Sequence, residues 1–228
     1  MMSPAEGRRY ARPKASAGFT IIELMIATLV FSFIMLMVAV AVIAFSKNYY
    51  RSTNVAHTQE TTRTIIDAVS QSIQFGAYPF SAGATTADTS LNYFCSGGYL
   101  FAFNKGVIYD GGAPTNTNAG LYMIPAPAGC AAPTTLSGGR QLLSKGMQLV
   151  KLDISPVIGG TNRYQVAVTL AYGNGNDLFC DLTGPCPRSV DLTPSQLIAA
   201  GSDLRCITGS GSEYCAVSSL TSVVQKRI

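Results

Sequence analysis

Ala17-Gly-Phe-Thr-Ile-Ile-Glu-Leu-Met-Ile-Ala-Thr-Leu-Val30 decides how the rest of the chain is read. A basic segment ends at Gly18, an apolar run starts at Phe19, and a carboxylate, Glu23, stands five residues after the glycine. From Phe19 to Phe75 there is neither glycine nor proline, 57 residues in a row, while the remainder holds all 22 glycines and 11 prolines. That punctuation predicts one long helix followed by a loop-rich domain. Leu24 to Ser46 is 23 residues without a charge. At ~1.5 Å rise per residue this is about 35 Å, enough to span a bilayer core of about 30 Å. The helix then turns amphipathic: Ile65, Ile66, Val69 and Ile73 share a face, and Arg63, Asp67 and Gln71 fall elsewhere. Gly76 and Pro79 in Gln74-Phe-Gly-Ala-Tyr-Pro-Phe80 end it.

The chain has 228 residues, room for one ordinary domain and an appendage. Its formal charge of +4 raises a nucleic-acid reading until the charge is located. Arg8, Arg9, Arg12 and Lys14 against Glu6 give residues 1–18 a net +3, leaving +1 for everything beyond. Residues 80–228 carry nine basic and eight acidic side chains, so specific nucleic-acid binding is not expected.

Six cysteines, Cys95, Cys130, Cys180, Cys186, Cys206 and Cys215, all lie beyond the helix. An even number behind a membrane-targeting segment points to disulfides in an oxidising compartment. The Cys180/Cys186 and Cys206/Cys215 spacings are too wide for ordinary zinc knuckles, whose ligands sit about two to four residues apart. Nearest neighbours in sequence, Cys95–Cys130, Cys180–Cys186 and Cys206–Cys215, are the expected pairing.

Past Phe80 the pattern is strand and turn. Tyr99 to Phe103, a three-residue loop Asn104-Lys105-Gly106, and Val107 to Tyr109 read as a hairpin. Tyr164, Val166, Val168, Leu170 and Tyr172 alternate with Gln165, Ala167, Thr169 and Ala171, a period of two. Met147 to Ile154 and Tyr214 to Val224 are further strands, and Pro194 to Ala200 before Gly201 is a helical turn or two. The fold class is α+β: a long N-terminal helix packed on an antiparallel sheet with disulfide-stapled loops.

An ordinary secretory signal places its small-residue cleavage site after the apolar region. Ala15-Ser16-Ala17 precedes that region, and Ala39-Val40-Ala41, nearer its far end, keeps ordinary cleavage open as an alternative. The order of basic leader, glycine, phenylalanine and apolar run with glutamate five residues after the glycine resembles the leader of type IV prepilins and type II secretion pseudopilins. Gly18-Phe-Thr-Ile-Ile-Glu-Leu-Met-Ile-Ala27 closely matches their signature, and the likeness is strong from Ala17 to about Phe45. It implies cleavage between Gly18 and Phe19 by a membrane-embedded prepilin peptidase, followed by N-methylation of Phe19. The chain then divides into a leader (1–18), a transmembrane and filament-core helix (19–46), its amphipathic continuation (47–79) and a globular pilin-like head (80–228). The implied partners are the peptidase and methyltransferase, inner-membrane lipid before assembly, and other pilin subunits through the helix. The head's size and six cysteines are similar to minor pilins of the PilW or PulJ/GspJ kind. The expected protein is thus a single-pass precursor in the inner membrane with its head outside the cytoplasm, later part of a surface pilus or a periplasmic pseudopilus.

The charges of the leader fit that orientation, since basic residues flanking a span stay on the cytoplasmic side. A charge deep in a bilayer costs roughly 2.5–3.5 kcal/mol and marks function, usually with a partner. For Glu23 the partner is an amine, that of its own cleaved N-terminus or of a neighbour, and the likeness to pilins implies the neighbour. A glutamate that merely snorkels to headgroups is the plainer alternative.

Other residues carry less. His57, the only histidine, lies on the polar stretch His57-Thr-Gln-Glu60 and reads as a solvated helix residue. Gly173-Asn-Gly-Asn-Asp177 with Asp181 offers oxygen ligands but lacks the alternation and final glutamate of an EF-hand, so a tight turn is the reading. No catalytic residue, metal or cofactor is expected. Two rivals share the same leader and helix: a type II secretion pseudopilin, and a membrane-anchored adhesin or enzyme ectodomain that uses the helix as a tether.

Overall fold

A computed structural model describes residues 18–76, 81–82, 90–125, 130–158, 162–173, 178–181, 192–208 and 211–227. The chain divides into two compact units, with the boundary between Phe45 and Ser46. One helix, α1 (Ile21–Phe75), runs through that boundary for 55 residues and stops before Gly76. Within the first unit its apolar side chains lie largely in the open: Phe33, Leu36 and Ile43 are all more than half exposed. Its most apolar stretch has a mean hydropathy of 2.8 and buries none of its residues, which is compatible with a single-pass membrane anchor.

In the second unit α1 buries the face its spacing predicts, Ile65, Ile66, Val69 and Ile73, while Arg63, Asp67 and Gln71 stay in solvent. The buried face is longer than the apolar pattern because hydroxyls extend it. Thr58, Thr61 and Thr62 are buried, and each donates to the carbonyl four residues back, at 2.7, 3.0 and 2.7 Å. A hydroxyl satisfied by its own helix buries with little penalty, so threonine stands in for valine there.

Among the described residues ten strands and a second helix follow: β1 (Ser81–Ala82), β2 (Asn92–Ser96), β3 (Tyr99–Phe103), β4 (Leu121–Pro125), β5 (Arg140–Gln141), β6 (Met147–Pro156), β7 (Arg163–Tyr172), β8 (Phe179–Asp181), α2 (Pro194–Ala200), β9 (Leu204–Cys206) and β10 (Ala216–Gln225). All pair antiparallel, as an α+β layout requires, but in three sheets instead of the single one expected. Strands β1 to β5 form a meander in chain order; β6, β7 and β10 form a sheet ordered β10-β7-β6; β8 pairs with β9. β10 starts at Ala216, later than expected, because Ser212–Tyr214 make a 3-10 turn.

The main core lies where α1 meets both larger sheets. Phe94, Phe101, Phe103 and Leu121 come from the meander, and Met147, Leu149, Val166, Val168, Leu170 and Val224 from the second sheet. Phe94 and Phe101 face each other across β2 and β3, their rings stacked at 4.7 Å. A smaller core covers the opposite face of the second sheet, where Leu197 and Ala200 of α2 join Phe179 and Leu204 over Val150 and Ala171. A bulge feeds both: Leu149 opposes Leu170 and Lys151 opposes Thr169, so Val150 is the extra residue and turns to the smaller core. This second layer is why β7, expected to be buried on one face, is buried on both at Thr169, Leu170 and Ala171.

The hairpin expected between Tyr99–Phe103 and Val107–Tyr109 does not form. Both edges of β3 are taken, by β2 and β4. After Phe103 the Asn104 side chain accepts from Ala119 N–H at 2.7 Å, and the chain crosses to the free edge of β6. There Gly106 N–H donates to the Leu149 carbonyl and Tyr109 N–H to that of Met147, each at 2.8 Å. The turn that does form is Gly97-Gly98 between β2 and β3, with φ of 63° and 85°. Two positive φ values at the centre of a two-residue loop match the twist of paired strands, and glycine adopts them without a Cβ clash.

Candidate processing and assembly site

The site read from the sequence sits at the start of α1. Gly18 is exposed, with open space around its α-carbon, and Phe19 is 88% exposed, so the peptide bond between them is accessible. Glu23 occupies the first turn of α1 and is exposed. Its carboxylate accepts from Thr20 N–H and from the Thr20 hydroxyl, both at 2.9 Å, while Glu23 N–H donates back to Thr20 Oγ1 at 3.3 Å. This is a capping box, which satisfies two N–H groups that a helix start otherwise leaves bare. The carboxylate also lies at the positive end of the helix dipole.

Thr20 is the residue that reading the sequence for its chemistry overlooked. Its signal was present, because Thr20-Ile-Ile-Glu23 is the threonine-x-x-glutamate pattern that opens a helix before an apolar run. The box gives Glu23 a local task, and it holds the carboxylate one turn from the position of the amine that cleavage after Gly18 would create. In hydrocarbon, each unsatisfied backbone group costs several kcal/mol, so the box matters more in a membrane than in water.

The remaining candidates sit elsewhere. Cys95 of β2 is bonded to Cys130, and Cys206 of β9 to Cys215. Cys180 of β8 is disulfide-bonded, and Cys186 lies outside the described residues. His57 is exposed, in a shallow hollow with Glu60, Thr61 and Ser144. Residues 174–177 of the proposed turn lie outside the described residues. Among the described residues no group of three or more histidine, cysteine, aspartate or glutamate side chains is placed to hold a metal.

A cavity of about 450 Å³ lies between β6 and α2. Half-buried Lys105 enters it, with its ammonium 5.9 Å from the centre of the Phe103 ring. Burial pushes the lysine's pKa down; Asp153 opposes that and Lys151 adds to it. With two aspartates, Asp153 and Asp203, lining the same walls, the cavity has no dominant charge.

Set against protein-family models, curated proteins and solved structures, the chain has no significant match in any of the three.

Proposed function

We propose that the chain is a structural subunit, of the minor-pilin kind, of a type IV pilus. In this reading it is cut between Gly18 and Phe19, N-methylated at Phe19, held in the inner membrane by α1, and then transferred to a filament whose core is built from such helices. The observation that carries the reading is a coincidence at one helix end. The Gly18-Phe-Thr-Ile-Ile-Glu23 order opens a continuous helix with 23 uncharged residues, and a disulfide-joined head follows the same helix. A tether alone needs the apolar residues, and an uncharged glutamine could close the capping box there as well as a glutamate. The charge is explained by an amine that processing creates and by neighbours that share it. Buried ion pairs of this kind are best attested as devices that fix register.

Shearing cells that make the chain and its assembly machinery should release it with the surface filaments, and imaging of a deletion strain should show pili lost or sharply reduced. Unchanged pili, with the chain found only in the membrane, would count against the pilus.

A further inference from the structure

The two larger sheets have four edges, and three of them are blunted. β1 and β5 close the meander with two residues each, and the outer side of β6 is taken by bridges from Lys105 and Ile108. The fourth edge is β10. It pairs with β7 over ten consecutive residues without a bulge, and among the described residues no strand pairs with its other side. Its sequence, Ala216-Val-Ser-Ser-Leu-Thr-Ser-Val-Val-Gln225, holds no charge, no proline and no glycine. Long exposed edges ordinarily carry lysine, proline or a bulge, because a row of unpaired N–H and C=O groups is a template for another strand.

The bare part runs from Ser219 to Gln225. Among the described residues no hydrogen bond reaches its backbone from the side away from β7. Ser219, Thr221, Val223 and Gln225 are exposed, Val223 by 62%. At ~3.3 Å per residue this part is about 23 Å long, enough for an ordinary strand to lie along it. It is also fixed at both ends. Just before β10 the Glu213 carbonyl accepts from Asn54 Nδ2 at 2.9 Å, and just after it Arg227 N–H donates to the Gln74 carbonyl at 3.3 Å. Asn54 and Gln74 are 20 residues apart, about 30 Å of helix, and the ten residues of β10 span about 33 Å. β10 therefore runs alongside α1 in the same direction, and an edge held in this way loses little freedom when a strand is added to it.

We infer that the outer edge of β10, Ser219–Gln225, takes up an extended, uncharged strand from another subunit of the filament. The inference rests on the proposal that the chain is a filament subunit. Where helices lie side by side, an edge parallel to α1 faces a lateral neighbour. A second β10 does not suit the place: antiparallel pairing of two such edges would turn the two Asn54–Gln74 segments in opposite directions, which copies carried by the same helix in one membrane cannot adopt. Backbone hydrogen bonds supply the affinity of such an addition, and the alternate side chains of the added strand supply its specificity. With no charge on β10 to answer one on the newcomer, a neutral strand fits it best.

Successive residues of an antiparallel strand direct their N–H groups to opposite sides, so of Thr221 and Ser222 one donates toward β7 and the other outward. Proline has no N–H and is tolerated on an edge strand where that group would face outward. Thr221→Pro and Ser222→Pro are made in the full chain, and thermal melts in detergent identify the one that keeps the wild-type melting temperature. That variant should be cut normally after Gly18 yet reach sheared filaments severalfold less than wild type. In the wild type, amides of Ser219–Gln225 that exchange rapidly with deuterium in the detergent-solubilised chain should be protected in filaments. If both proline variants unfold, the exchange measurement decides. Full incorporation of the outward proline variant, or rapid exchange of those amides in filaments, overturns the added strand and leaves the pilus reading standing. Absence of the wild type from sheared filaments overturns the pilus reading and this inference with it. Amides already protected in the detergent-solubilised chain, with a dimer in native mass spectrometry, would mean that β10 pairs with itself, which overturns the assignment to another subunit.

Discussion

Glu23→Ala is expected to be cut normally after Gly18 yet to enter filaments at least tenfold less than wild type, read as the ratio of processed chain in sheared filaments to that in membranes. The peptide bond at Gly18 is exposed and does not depend on the carboxylate. In the proposed filament the carboxylate would meet a buried amine, and removing one partner of a buried pair costs about 3–5 kcal/mol. At about 1.4 kcal/mol per factor of ten, that exceeds a tenfold loss comfortably. The capping box supplies the control. Thr20→Val removes the hydroxyl that bonds Glu23 but leaves the carboxylate and the Thr20 backbone N–H in place. It should cost only about 1 kcal/mol, the usual worth of a helix cap. If both variants lose incorporation equally, Glu23 acts as a cap and not as the contact to a neighbour; if Glu23→Ala assembles normally, it is not the register device.

Gly97→Ala is expected to cost about 3 kcal/mol or more, the sum of two penalties at one atom. A Cβ there would be held at a left-handed φ of 63°, which costs roughly 1–2 kcal/mol for an L-residue. It would also drive into the Ser72 carbonyl in the last turns of α1, and such overpacking costs typically about 1–3 kcal/mol. The contact is close from both sides, since a Cβ on Gly76 would strike the Gly97 backbone. Gly98→Ala is the comparison: its φ is 85°, but the space around it is open, so it pays only the conformational cost. Thermal melts of the full chain in detergent should therefore separate the two. Equal losses would mean that the end of α1 and the β2–β3 turn are not in the tight contact described here.

Much of this architecture could be read directly from residue order. The reach of α1 follows from its freedom from glycine and proline, and β7 from its strict alternation. Cys95–Cys130 and Cys206–Cys215 are the nearest-neighbour pairs the sequence led one to expect. The expectation of a hairpin at Asn104-Lys105-Gly106 failed for a tertiary reason. That glycine does take a positive φ, 66°, but the strand before it had already spent both edges on β2 and β4. The Gly97-Gly98 pair was the better signal, a two-glycine turn between strands, and it lay immediately before β3. Thr58, Thr61 and Thr62 escaped notice because an apolarity pattern counts threonine as polar, whereas a hydroxyl bonded within its own helix buries readily. The second core was hidden for a different reason: Ala171 and Val150 need partners from β8, β9 and α2, distant in sequence and joined only by the fold. At the candidate site, Gly18, Phe19 and Glu23 stood out by their order, and Thr20 was passed over although Thr20-x-x-Glu23 carries a capping pattern, because Glu23 drew attention for its charge alone.

The most direct test of the proposal is the mass of the mature N-terminus. The full chain, made with and without a prepilin peptidase that acts on it, and again as Gly18→Ala, is isolated from membranes and its N-terminal peptide read by mass spectrometry. The account predicts a chain beginning at N-methylated Phe19 only when the peptidase is present, and loss of that product in Gly18→Ala. A chain that begins after Ala41, or that keeps its leader in the presence of the peptidase, would contradict it.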